Sequence, residues 1–215
     1  MPKLPRSFYD RPALEVSRDL LAKVLVRCLP EATLRVRIVE VEAYAGQTDP
    51  GSHAFRGRTR RTNVMFGPPG YLYVYFTYGM HYCMNVVTDA EGVAGAVLLR
   101  AAEPLEGVET MEQARGTRRR VDLCNGPAKL CQALGITRSQ NGTSLDGPEI
   151  WIEDDGVVAR NVAVSARVGL SAGKELPFRF YLSDNPYVSP GKPSAPLPGE
   201  HTVTRGRVDI SKAIR

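Results

Sequence analysis

Cysteine and histidine are scarce in this chain, 4 and 3 among 215 residues. Cys28, Cys83, Cys124 and Cys131 match no zinc-ligand spacing, and so few histidines argue against a structural zinc site. The cysteines are expected as reduced thiols that pack as small hydrophobes, Cys83 and Cys131 within apolar patterns. No run of about 18 apolar residues occurs, so no membrane partner is expected. The opening stretch, MPKLPRSFYDRPALEV, lacks the apolar core of a secretory signal. The expected compartment is the cytoplasm.

What remains is an ordinary globular balance, 43% hydrophobic and 24% charged, enough for one core and one domain. Basic residues exceed acidic ones, 28 to 23, for a net charge of +5. The excess is uneven. Arg56, Arg58, Arg60 and Arg61 crowd FRGRTRRTN, and Arg115, Arg118, Arg119 and Arg120 crowd ARGTRRRV. Such clusters suit a polyanion partner, nucleic acid included, but they also suit a plain solvated loop.

Periodicity supplies the elements. LEVSRDLLAKVLV spaces Val16, Leu20, Leu21, Val24 and Leu25 by threes and fours, which predicts an amphipathic helix throughout. ATLRVRIVEVEAY alternates as a long strand, and GAVLLRAAEP is a further apolar strand. Pro104 is expected to open a helix through about Ala114. In CNGPAKLCQALGI, Asn125 or Gly126 caps a short helix begun by Pro127 and ended by Gly135, with Leu130, Cys131 and Leu134 buried. EIWIED, VAVSARVGL and FRFYL read as strands. From Ser183 onward little periodicity remains.

One stretch is odd. YVYFTYGMHYCMNVV alternates up to Phe76, with Tyr71, Tyr73 and Tyr75 on one face and Leu72, Val74 and Phe76 on the other. A second strand follows from Tyr82, so Tyr78, Gly79, Met80 and His81 lie at a hairpin tip. A tyrosine and a methionine are unusual there. Strands outnumber helices and join through hairpins, so the class is α+β.

Several residues could carry chemistry. In VEVEAYAG, Glu40, Glu42 and Tyr44 share a strand face, and the paired carboxylates repel unless water, a cation or a metal intervenes. An exposed face is one account. A metal-dependent nuclease using Glu42, Asp49 and His53 is another, since oxygen and imidazole suit divalent ions. Arg100 ends an apolar strand, where arginine often meets a carboxylate. His53 sits in a turn-rich loop, as solvated histidines do.

Taken in order, RIVEVEAYAG, SHAFRGRTRRTNVMF, PPGYLYVYFTYGMHYCMNVV, VLLRAAEPLEG, LCNGPAKLCQALGI and ARVGL resemble the alkyladenine (3-methyladenine) DNA glycosylase family. The likeness runs from about Phe8 to Val188. It implies a monofunctional base-excision repair enzyme, without metal, cofactor or lyase activity, that flips damaged purines from duplex DNA and hydrolyses the N-glycosidic bond. The expected substrates are 3-methyladenine, 7-methylguanine, hypoxanthine and ethenoadenine. The expected form is a monomer associated with the nucleoid.

The implied fold is a single α+β domain with a curved, mainly antiparallel sheet, surrounding helices and a protruding β-hairpin. Its expected extent is 1–190, with 191–215 an irregular Pro/Gly-rich tail that matches nothing familiar. Residue by residue, the resemblance makes Glu42, not Glu40, the general base. Arg100 and the carbonyl of Val168 would help to hold its water. Tyr44, His53 and Tyr75 would enclose the flipped base, and Asn85 would exclude guanine. Tyr78 would intercalate beside Met80. Arg56, Arg58, Arg60, Arg61, Arg118 and Arg119 are expected on phosphates, by their charge. His81 departs from the bulky aromatic common in relatives. A non-catalytic DNA-binding module is the remaining alternative.

Overall fold

The computed structural model describes residues 1–77 and 79–196. Tyr78, the expected intercalating residue, and most of the expected tail lie outside the described residues. Helices α1 (Arg6–Tyr9) and α2 (Ala13–Leu20) precede strands β1 (Val24–Cys28) and β2 (Thr33–Ala45). Then come β3 (Leu72–Thr77), β4 (His81–Thr88) and β5 (Gly95–Glu106), followed by helices α3 (Val108–Arg115) and α4 (Pro127–Ala133). Strands β6 (Ile150–Glu153), β7 (Val162–Ser165) and β8 (Arg179–Leu182) complete the sheet. No helix among the described residues is long and apolar enough to cross a membrane.

Every strand pair among the described residues is antiparallel. The order is β3-β4-β5-β2-β1-β6, with β8 on β2 and β7 on β8. The single domain is therefore α+β around one curled antiparallel sheet. Strand β2 is its spine. One edge runs along β5, while the other changes partner, from β1 over Thr33–Arg37 to β8 over Glu40–Glu42. Register shifts flank Glu40 on the β5 side. Bulges of this kind increase local twist and re-aim side chains. The fork covers both sides of β2, so Glu40 and Glu42 are completely buried. The exposed-face account of this strand is overturned.

Three other expectations are corrected. The helix predicted through Val26 stops at Leu20, the chain extends at Leu21 (ψ 139°), and Ala22 turns left-handed (φ 68°). A run as apolar as Leu20–Val26 fits both periods, and pairing of Val24–Cys28 with β2 and β6 decides for strand. Pro104 lies inside β5, and α3 begins after Gly107 instead. Strand β4 pairs with β5 only over Gly95–Leu98, so proline falls where that edge needs no donor. A Cβ on Gly107, in the left-handed region at φ 72°, would meet Leu34 Cδ2 at 2.4 Å, which requires glycine there. Finally, VAVSARVGL is a strand only to Ser165, because Ala166 onward turns away from β8.

The core lies on one face of the sheet. Leu20, Leu25, Leu34, Val41, Leu72, Val74, Met84, Leu99 and Leu130 pack there, with α2 and α4 against the strands. The cysteines are free thiols, three of them buried. A second, smaller cluster of Met65, Phe66, Tyr73, Val87 and Ala96 lies on the opposite face, with Tyr71 and Tyr75 against it. The predicted alternation of β3 therefore holds through Tyr75. Phe76 does not join the core; it is 44% exposed and leans on Tyr82 at 5.1 Å.

Candidate active site

The second face carries a cavity of about 310 Å³. Its lining includes Glu42, Tyr44, His53, Tyr75, Asn85, Arg100 and Val168, all seven of the residues expected around the base and its water. Sheet geometry explains the convergence. Glu42 and Tyr44 come from alternate positions of β2, Tyr75 and Asn85 from paired β3 and β4, and Arg100 from β5.

Glu42 lies at the foot of this cavity with its carboxylate held on both oxygens. Its Oε1 accepts from the Val168 amide at 2.7 Å and meets Arg100 Nη1 at 3.2 Å. Its Oε2 accepts from the Tyr44 hydroxyl at 2.9 Å. Val168 thus touches Glu42 through its N–H; the expected role belonged to its carbonyl. Burial, and then the negative Glu42, push the Tyr44 phenol well above its ordinary range, so it stays a donor. Burial disfavours the Arg100 charge, but Glu42 and Glu40 outweigh it and hold the guanidinium cationic.

The walls are aromatic. The rings of Tyr73 and Tyr75 stack at 5.5 Å, and His53 stands edge-on to Tyr75 at 4.6 Å. His53 Nδ1 lies 3.1 Å from the Tyr73 hydroxyl. Its ring is open to solvent at the cavity mouth, yet crowding by neighbours and then Arg61 bring its pKa down to about 4. His53 is neutral at neutral pH. Asn85 is buried and donates its amide to the Tyr73 carbonyl at 3.1 Å, satisfying a backbone group while it lines the cavity.

Asp49 does not join Glu42 and His53. Its carboxylate faces Arg167, with Oδ1 2.7 Å from Nη2, and also accepts from the Gly51 and Ala45 amides at 2.9 and 3.2 Å. Among the described residues no group of three His, Cys, Asp or Glu side chains is placed to hold a metal ion. The proposed ligand trio fails because Asp49 is already saturated.

Of the arginines expected on phosphates, Arg61 lies against two of the wall residues, 5.4 Å over the Tyr75 ring and 3.5 Å from His53 Nε2. Arg58 folds back on Phe66, donating to its carbonyl at 3.2 Å. Arg56, Arg60 and Arg118 are exposed, and Arg119, 76% exposed, pairs with Asp122 at 3.1 Å. Met80 is 70% exposed in the turn before β4.

Two arginines escaped the sequence analysis. Arg167 is fully buried and its guanidinium lies 4.6 Å over the Tyr44 ring, backing the wall that faces the cavity. Arg179 binds Glu40 at 2.7 Å. Position in ARVGL and FRFYL was the only signal, and it named no partner.

An aromatic-walled cavity that reaches a buried carboxylate suits a flat ring, with a proton acceptor beside it. The family model described as methylpurine-DNA glycosylase matches residues 7–186. A protein of Carboxydothermus hydrogenoformans named "Putative 3-methyladenine DNA glycosylase" is 52% identical, over 86% of this chain and 98% of its own. Proteins of the same name from Alkaliphilus oremlandii and Streptomyces avermitilis are 48% and 47% identical, covering 87% and 90% of this chain and 98% and 93% of theirs. The chain belongs to the methylpurine-DNA glycosylase family.

Proposed function

We propose that this protein is a 3-methyladenine DNA glycosylase that excises alkylated or deaminated purines, flipped from duplex DNA, by hydrolysis. One observation carries the reading: the doubly held carboxylate of Glu42 opens into a cavity walled by Tyr44, His53 and Tyr75. Among the described residues Oε1 of Glu42 meets two donors and Oε2 one. The remaining acceptor position on Oε2 takes the proton of the attacking water. The water oxygen bonds to C1′, the C1′–N bond breaks, and the base leaves with the bonding pair.

For the alkylated purines one carboxylate suffices, because alkylation makes the base a cation and a good leaving group. Ordinary glycosidases add a second, protonated carboxyl for departure. Stacking walls tolerate many bases, which fits a range of damaged purines. Asn85, filling space at the cavity edge, excludes the 2-amino group of guanine. In this reading the product is an abasic site, formed by hydrolysis without a lyase step.

Reaching a paired base costs a few kcal/mol of unstacking. In this proposal the β3–β4 turn enters the minor groove, and Tyr78 with Met80 fills the vacated stack. The exposed arginines of the two basic loops hold phosphates. The test is methylated DNA incubated with the protein and EDTA. Free methylpurine from an unbroken, alkali-labile strand is expected. Cleavage that needs a divalent metal would overturn the proposal, as would binding without either product.

A further inference from the structure

Glu40 is a buried charge next to Glu42 and Arg100, and the hydrolysis proposed above does not use it. Its Oε1 accepts from Arg100 Nε at 2.8 Å, Arg179 Nε at 2.7 Å and Ser189 Oγ at 2.9 Å; its Oε2 accepts from the Ser189 amide at 2.7 Å. It is completely buried. Arg100 is shared, with Nε on Glu40 and Nη1 on Glu42 at 3.2 Å.

The backbone builds this sharing. Glu40 pairs with Ala101 and Val41 with Leu99, so Arg100 is the extra residue of a bulge, set between the two carboxylates. A guanidinium prefers to meet one carboxylate through two parallel bonds. Here its fork is divided. We propose that Glu40 is a positioning residue for the general base. Glu40 holds Nε, and Ser189, itself bonded to Glu40, places its Oγ 3.5 Å from Nη2; Nη1 alone is left for Glu42, which retains an acceptor for water.

The inference rests on Glu42 being the base. Neutralising Glu40 has two consequences of the same sign. Arg100 turns its whole fork to Glu42, and a negative charge that opposes ionisation of Glu42 is gone. Both make Glu42 a weaker base, present as carboxylate to lower pH. Burial opposes the charge of Glu40 itself, but Arg100, Arg179 and the Ser189 bonds outweigh it and hold its pKa below the ordinary value.

The test measures single-turnover release of 7-methylguanine, whose methyl group fixes the charge of the base across the acid range. Glu40→Gln keeps the hydrogen-bonding shape. It should slow release by about tenfold with lesion-duplex affinity within about twofold, and move the acid limb of the pH–rate profile down by roughly half a unit or more. Glu40→Asp, which keeps the charge, should return the limb toward its parental position. If Glu40→Gln does not fold, Arg179→Gln serves: it removes a cation without touching Glu42 and should move the limb up. Losses of rate with an unmoved limb would make Glu40 scaffold only and overturn the inference. Glu42→Gln is measured alongside. If that variant still excises, the assignment of the base fails, whatever Glu40 does.

Discussion

Glu42 and Asp49 lie on the same stretch of chain, both are buried, and both contact an arginine. They differ in what else meets their oxygens. Asp49 receives two bonds from Arg167 and two from backbone amides, which fills four acceptor positions. Glu42 receives three donors and borders the cavity. A saturated carboxylate is a fastener, because protonating it or drawing it away sacrifices every bond. An unsaturated one, braced but open on one side, keeps its geometry while it takes a proton.

The largest expected effect tests the open member. Glu42→Gln should lower excision by about 10²–10⁴-fold and leave the melting temperature and lesion binding nearly unchanged. Single-turnover kinetics beside a binding isotherm checks this; retained excision would move the base elsewhere.

Asp49→Asn should show the reverse pattern. It leaves the Arg167 cation buried and unpaired, typically about 3–5 kcal/mol of stability. Denaturant unfolding should register that loss. A variant as stable as its parent would mean that Arg167 finds another partner, and the contrast with Glu42 would collapse.

Tyr44→Phe removes one donor from Glu42 and keeps the ring against Arg167. Hydrogen bonds to charged groups contribute about 1.5–3 kcal/mol. Excision should therefore slow by about tenfold or more while stacking of the damaged base survives. Equal losses of rate and affinity would show that the hydroxyl supports the wall more than the carboxylate.

The smallest effect concerns His53, which shares the cavity without a carboxylate partner. Its folded pKa, down at about 4, lies below the ordinary value of 6.5 because crowding by neighbours, and then Arg61, disfavours the charged ring. The unfolded chain therefore binds the extra proton between those values, so this contribution to stability is lost as pH falls through that window. Melting temperatures of His53→Gln should decline less than the parent's from about pH 6.5 to about pH 4. Parallel declines would contradict a depressed histidine.

Much of this molecule was legible in the chain. Alternation in β2 and β3 put Glu42 with Tyr44 and Tyr73 with Tyr75 on shared faces, since strand side chains repeat every two residues whatever surrounds them. Gly126-Pro127 announced α4 because proline fits a first helical turn. The run Leu20–Val26 was ambiguous, its residues being apolar at either period. The partners of the buried charges were illegible: Arg179 meets Glu40 across 139 residues, and Arg167 meets Asp49 across 118. Local pattern determined which side chains share a face. Only the tertiary structure, by forking the sheet at Glu40, decided which carboxylates would be saturated and which would open to the cavity. Burial and pairing across distant strands are properties of the assembled sheet, and no short window of sequence contains them.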